Sequence, residues 1–375
     1  MKNKIFVTVF ALLLAVISLA NLFAPKKDFS ENENRSLAVF PELSMESLKD
    51  GSFTSGFAAY LSDHFLFRDA WVSIKSAAES VMLKTSNNGV FHGRNGYLID
   101  GFDEDSASGF DGNLEEVKNF VRMMKTDFGI DVRTVIAPNA AQILSEKLPR
   151  FAVTADGRSL SEKAANELDG FVDVYDAMDS HKNDYIYYRT DHHWTYLGAY
   201  YAYAEYKKSL GQTADLLESM DIETVSDRFF GTTYSRFGFF NGRNADTLSA
   251  PSETHLGSMT VTNSKAETFS SIYFPDALDG KDKYMYFLGG NDSIVTVETE
   301  NKNGKTLLLI KDSYANSFLP YLIGDYEKII LLDMRYYQGV VPELIGQSGV
   351  TDILILYNLK SFSEDNYIRF INFTE

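Results

Sequence analysis

The chain has 375 residues, 45% hydrophobic and 14% aromatic, enough to fill the core of one large domain or two ordinary ones, and this excludes a disordered protein. A formal charge of −17 argues against a nucleic-acid partner, because phosphate binding needs clustered Lys and Arg, and here these are scattered among a surplus of acids. The lack of cysteine removes disulfides, thiolate catalysis and Cys-based zinc sites together.

The chain starts with a short basic head, Met1 to Lys4, followed by Ile5 to Ala24 without a charge and then Pro25-Lys26-Lys27. About 20 apolar residues suffice to cross a bilayer core, whereas the apolar part of a signal peptide runs ~7–15. The expectation is therefore an uncleaved signal anchor over 1–27, a transmembrane helix with the bulk of the chain outside the cell. Ser18-Leu19-Ala20 carries the small residues of a cleavage site, so secretion after signal removal is the alternative.

Residues 28–112 are expected to form a linker and a helical lead-in. Ser44 reads as a helix cap, and from Met45 to Lys84 apolar residues recur at steps of three and four (Phe53, Phe57, Tyr60, Leu61, Phe65, Trp71, Ile74, Val81), which predicts helices with a buried stripe. Turn residues at 87–89 and 92–96 bracket a short strand. From 113 to 375 strands and helices alternate. Helices are predicted over 114–128, 140–148, 196–210 and 314–323, and strands over 132–137, 185–188, 306–310, 328–332 and 352–357. Such alternation implies an α/β domain, a mainly parallel sheet with helices on both faces. The stretch from about 212 to 304 is turn-rich with short β-like runs at 258–262 and 294–298, and reads as a β-rich insertion leaving the sheet, with a hairpin signal at Asn303-Gly304.

Two stretches carry chemistry. Tyr188-Arg-Thr-Asp191-His192-His193-Trp194-Thr195 sets two of six histidines beside a carboxylate and one of two tryptophans. Side chains alternate in an extended segment, so Asp191 and His193 share a direction, and the carboxylate would fix the imidazole's tautomer. His192 points the other way and is left for a structural or substrate-facing role. Ser313 follows the apolar run 306–310 and precedes a helix, at the carboxyl end of a strand, where sites of parallel sheets collect and a helix aims free N–H groups. Its own amide is then available to an oxyanion. Ser313 or Asp312 as a plain N-cap is the bland alternative. Asn139, after strand 132–137, lies on the same edge and is a second oxyanion candidate; Asn291, Tyr314, Asn316 and Trp194 are further pocket candidates. A metal is not expected, because adjacent histidines of an extended segment point apart and further ligands would have to converge.

Asp191-His192-His193-Trp194-Thr195 resembles the name-giving motif of the bacterial DHHW family, and Lys311-Asp-Ser313-Tyr-Ala-Asn316 resembles its second block. Both are similar to blocks of the alginate O-acetyltransferase group, as are Glu33 to Leu37 with Phe40-Pro41, Asp63 to Arg68 and Gly93 to Leu98. The resemblance implies an SGNH-like fold with Ser313 as nucleophile, His193 as general base and Asp191 as its orienter, with no cofactor. It further implies an acetyltransferase or acetylesterase acting on a cell-surface polysaccharide, and a multi-spanning membrane protein as acyl-donor partner. The sequence departs from the usual SGNH pattern at Lys311, Asp312 and Tyr314, where small residues are usual, and sparse basic residues point away from alginate itself. The other class of function is a glycan-binding or scaffold protein of the same fold without chemistry, for which 22 Tyr and 28 Phe would serve sugar stacking as well as core filling.

Overall fold

The computed structural model describes residues 2–374; Met1, the first residue of the expected basic head, lies outside them. The chain divides into two units, one of 1–88 with 234–242 and one of 89–233 with 243–375. The hairpin at 90–100 and the helix from 110 therefore belong with the second unit, not with a lead-in running to 112.

In the first unit, helix α1 (Lys2–Phe23) contains one window, Lys4–Asn21, of mean hydropathy 2.2 with no residue buried, long and apolar enough to cross a membrane. Helix α2 (Met45–Lys49) is started by Ser44 through a capping box with Ser47, as the sequence predicts. Helices α3 (Ser52–Asp63) and α4 (Arg68–Val81) follow, but the expected buried stripe is not there. Leu61, Phe65, Trp71, Ile74 and Val81 are exposed, and only Ser76 is buried on these two helices. Phe40 packs edge-on against Phe53, Phe57 and Tyr60, which leaves those rings half-buried. Polar contacts do the ordering instead: Arg35 spans Glu33 and Asp63, and Arg68 reaches Glu33. The returning segment is held by Ser76 and Asn87 on the carbonyl of Phe237.

The second unit starts with the hairpin of β1 (Val90–His92) and β2 (Leu98–Asp100) and helix α5 (Phe110–Met123). Strand β3 (Val132–Ala137) is followed by three short helices (Ala140–Ile143, Gly157–Glu167 and Tyr175–Ser180) and helix α6 (Tyr196–Ser209), then by the two-stranded ribbon of β4 (Ile222–Phe229) and β5 (Asp246–Pro251). Strands β6 (Met259–Thr262), β7 (Thr268–Phe269), β8 (Ile294–Thr299) and β9 (Thr306–Lys311) lead to helix α7 (Tyr314–Leu322), strand β10 (Lys328–Leu332), helix α8 (Val341–Ser348) and strand β11 (Asp352–Asn358). Seven strands form one sheet in the order β7-β6-β8-β10-β9-β11-β3.

The sheet is mixed. Pairs β10·β9, β9·β11 and β11·β3 are parallel, while β7·β6, β6·β8 and β8·β10 are antiparallel. The mainly parallel sheet of the sequence reading is thereby corrected, and the stretch 212–304 leaves the sheet only in its first part, the ribbon of β4 and β5, while its second part adds β6, β7 and β8 to one edge. Asn303-Gly304 is no hairpin either, because β8 pairs with β10 and not with β9. The expected strand 185–188 is reduced to one bridge between Tyr187 and Trp194.

Alternation along the strands loads both faces, as a doubly covered sheet requires. Leu307, Leu309, Leu354 and Leu356 join Trp194, Tyr203 and Phe318 in one core. Leu308, Ile310, Ile353 and Ile355 join Val117, Phe120 and Ile345 of α5 and α8 in the other. The carboxyl ends of β9, β11 and β3 lie side by side, with Lys311 opposite Leu356 and Asn358 opposite Ala137.

Candidate active site

At the end of β9 the chain turns through Asp312 into α7. Asp312, 1% exposed, takes the capping role: one carboxylate oxygen accepts from the amide of Tyr314 (2.8 Å), the other from the amide and side chain of Asn358 (2.9 and 2.7 Å). Burial pushes its carboxyl above the usual range against those bonds. Ser313 makes no capping bond and is partly exposed. Its hydroxyl is thus left for the DHHW loop.

That loop is bent at 189–193, not extended. It closes on itself through Tyr188 N–H to His193 O (3.3 Å) and Thr195 N–H to Ile186 O (2.9 Å). Asp191 and His193 do meet, though for a reason other than strand alternation: the bend returns the imidazole onto the carboxylate, Nδ1 to Oδ1 2.5 Å. His193 Nε2 lies 2.7 Å from Ser313 Oγ, across 120 positions of sequence. Carboxylate, imidazole and hydroxyl form one hydrogen-bonded row.

Asp191 is 2% exposed. Burial alone would raise its carboxyl, but the adjoining His193 and His192, the His193 hydrogen bond and the Thr232 amide outweigh it and hold the group well below the usual carboxylate range. Its second oxygen accepts from Thr232 N–H (2.7 Å) and Thr232 Oγ1 (3.0 Å). Gly231 must be glycine here, since a Cβ would sit 2.2 Å from Asp191 Oδ2.

A model of the DHHW protein family matches residues 106–332, a stretch that holds both the Asp191-to-Trp194 motif and Ser313. The chain belongs to the DHHW family. Among solved structures, a DHHW family protein from Eubacterium siraeum is 28% identical with a TM-score of 0.66, over 77% of this chain and 98% of that one. Bacillus cereus PatB1, solved with a sulfonyl adduct, is 16% identical with a TM-score of 0.60, over 74% and 98%, and shares the fold. The O-acetyltransferase domain of Pseudomonas putida AlgJ is 14% identical with a TM-score of 0.44, over 74% and 93%. A comparison with curated proteins finds no match.

The four name-giving residues of the DHHW motif separate by position. Trp194 is fully buried, its indole N–H donating to Tyr314 O and Ser317 Oγ, both at 3.0 Å. Tyr314, 1% exposed, donates its hydroxyl to His192 O (2.6 Å). Both pocket candidates of the sequence are thus buried and hydrogen-bonded within the core, and together they pin the DHHW loop to α7. His192 keeps its ring over that of His193, centroids 3.8 Å apart at 37°, so the adjacent imidazoles do not point apart. Ligand-type atoms of Asp191, His192 and His193 lie within 4.8 Å of one another. They fit a metal poorly, because both Asp191 oxygens and both His193 nitrogens are already spent in hydrogen bonds and His192 Nδ1 lies 2.6 Å from Thr232 Oγ1.

Asn139 caps the exit of β3 on the same sheet edge, is 6% exposed, and neither of its amide atoms has a partner among the described residues. Its neighbour Pro138 takes the hydroxyl of Tyr187 at 2.5 Å, which ties this corner to the DHHW loop. Asn316 and Asn291 are placed differently. Asn316 Oδ1 accepts from Lys311 Nζ (2.6 Å), and the exposed Asn291 lies 3.3 Å from the same ammonium, so these two form a separate tie behind Ser313. Burial pushes the Lys311 ammonium down to about 8.

Sequence reasoning missed four residues, all from the stretch read as an excursion. Gly231 and Thr232 close on Asp191; Tyr284 stacks on His193 (3.7 Å, 9°) and hydrogen-bonds Ser313 O (3.1 Å). Asp246, fully buried, accepts from the amides of Arg189 (2.8 Å) and Thr190 (2.7 Å), from Thr190 Oγ1 and from the Tyr185 hydroxyl, fixing the backbone just ahead of Asp191. Only the Gly-Thr pair, a turn signal, marked any of them.

Proposed function

We propose that this DHHW protein is a membrane-anchored, extracytoplasmic serine acyltransferase or esterase, acting on acetyl esters of a cell-surface polysaccharide. The single observation that carries the reading is the row Asp191, His193, Ser313, with 2.5 and 2.7 Å between successive partners. Membership of the family and the similarity of both motifs to the alginate O-acetyltransferase group support acetyl as the acyl unit. The apolar helix α1 supports anchorage, and the same resemblance supports a multi-spanning membrane protein as donor of the acyl group.

Ser313 Oγ attacks the acyl carbonyl, forming the O–C bond as its proton passes to His193 Nε2. Asp191 holds His193 Nδ1–H and stabilises the imidazolium. The oxyanion is met by the Ser313 amide at the head of α7 and by the buried, unpartnered side chain of Asn139. Collapse breaks the bond to the donor's oxygen, which leaves with the proton from His193. An acceptor hydroxyl then repeats the sequence in reverse and frees Ser313.

Acetyl release from p-nitrophenyl acetate and from an acetylated glycan by the full chain in detergent tests this. Loss of one member of such a row costs on the order of 10⁴- to 10⁶-fold. Ser313→Ala is expected to abolish release and to leave no acetyl on the protein by mass spectrometry. Undiminished release by Ser313→Ala would end the serine mechanism; a glycan bound without any acyl transfer would favour the binding-protein reading.

A further inference from the structure

Of the name-giving side chains only His192 has no part in the row or the core, and its surroundings define its chemistry. A carboxylate only accepts hydrogen bonds. Thr232 Oγ1, 3.0 Å from Asp191 Oδ2, therefore spends its one proton there. Toward His192 Nδ1, 2.6 Å away, the same oxygen is an acceptor, so Nδ1 carries the ring hydrogen. A ring protonated on Nδ1 alone has a bare lone pair on Nε2. Burial and the neighbouring His193 push the ring's pKa down to about 4, and it is neutral at ordinary pH.

Nε2 has no hydrogen-bond partner among the described residues, and the His192 side chain is 29% exposed. Its ring lies 3.8 Å from that of His193, and Tyr284 lies 3.7 Å from His193 in the same way. Two rings that close cannot share one face, so His193 is sandwiched, and the solvent edge of the sandwich belongs to His192. His192 thus presents a fixed, neutral hydrogen-bond acceptor beside His193.

We propose that His192 Nε2 takes a hydrogen bond from a hydroxyl of the acyl acceptor next to the one being acylated, so that the preferred acceptor is a saccharide with a free vicinal diol. This rests on the Ser313 reading above. In the second half-reaction one hydroxyl attacks the acyl carbon and gives its proton to His193 as the bond to Ser313 Oγ breaks and Oγ recovers that proton. The adjacent hydroxyl keeps its own proton throughout and only donates it to His192, holding the sugar in register. Thr232 is a positioning residue, acting through the tautomer it imposes.

The test uses the full chain in detergent, acetylated by p-nitrophenyl acetate and offered a methyl glycoside or its deoxy analogue lacking the neighbouring hydroxyl. The ratio of transfer to hydrolysis is read after the acyl-enzyme has formed, so any change in acylation cancels. Wild type is expected to favour the diol, and His192→Ala to lose that preference by about 3- to 10-fold, one hydrogen bond's worth. Thr232→Val is expected to follow it, with Thr232→Ser restoring the preference. Nitrogen-15 spectra of His192 should show Nδ1 protonated and Nε2 bare; a proton on Nε2 overturns the proposal whatever the activity. An acyl-enzyme equally blind to both acceptors sinks the role of His192 alone, whereas absence of any acyl group on Ser313 sinks the serine reading and this one with it.

Discussion

Two rows of side chains leave the end of β9 and are held in opposite ways. Asp191, His193 and Ser313 are closed from several directions: backbone and hydroxyl donors from Thr232, the amide of His193 itself, the ring of Tyr284 and the backbone of Gly231. Lys311, Asn316 and Asn291 are closed by two side-chain amides, one of them on an exposed residue. The difference teaches how a buried charge is kept in place. Asp191 stays ionised despite its burial because the adjoining His193 and His192, the His193 hydrogen bond and the Thr232 amide together outweigh it; the ammonium of Lys311, held by side-chain acceptors, gives way to burial despite the pull of Asp333.

If the first row is as rigid as its contacts imply, the largest effect comes from altering its anchor without changing its shape. Asp191→Asn replaces one acceptor by an amide that faces a backbone donor, and it lets His193 take the wrong tautomer. Acetyl release is expected to fall about 10⁴-fold with the fold retained by circular dichroism. A loss of less than tenfold would mean that the carboxylate is merely structural. A smaller effect follows from crowding the same anchor. Gly231→Ala brings a Cβ 2.2 Å from Asp191 Oδ2 and 2.3 Å from its Cβ, so the loop or the carboxylate must move. The cost expected is about 1–3 kcal/mol in denaturant unfolding, with reduced turnover. Wild-type stability and rate in this variant would show the contact to be soft and would erase the contrast between the rows.

The parts of this arrangement that sequence could reveal are those with side-chain signatures. Asp191, His193 and Ser313 stand out by type and by setting, as does the apolar run 306–310 that delivers Ser313. The geometry joining them was not legible: alternation in an extended strand predicts the right pair, but bends at 189–193 produce it, with Asp246 holding the amides of Arg189 and Thr190 from 57 and 56 positions away. Backbone donors such as Thr232 N–H leave no trace in composition. The stretch 212–304 looked like an excursion because most of its strands are short and it joins the sheet through one antiparallel pairing, β8 with β10, a contact that no local pattern encodes. Trp194 and Tyr314 looked like pocket residues, yet a rare aromatic beside a motif is as well suited to pin it, and both lie in the core. Helical spacing in the first unit gave α3 and α4 correctly and their burial wrongly, because periodicity specifies a face and not what covers it.

The smallest effect expected lies in the second row, and it sharpens the contrast through pH. Lys311 is 2% exposed, and burial brings its pKa to about 8 from an ordinary 10.5, against the pull of Asp333, Asp312 and Asp292 and with Arg335 adding to the push. Below pH 8 the folded protein carries the cost of a buried ammonium. Between 8 and 10.5 the unfolded chain still binds the proton that the folded chain has released, so stability rises with pH across that window, and it falls again as pH drops through 8. From pH 8 to about 9.5 the gain attributable to this group is about 1–2 kcal/mol. Lys311→Met removes it, so unfolding free energies of wild type and variant, measured in denaturant at both pH values, should diverge by that amount. Parallel behaviour would mean that the ammonium stays fully charged in the fold, compensated by Asp333 as Asp191 is by its donors, and the two rows would then be anchored alike.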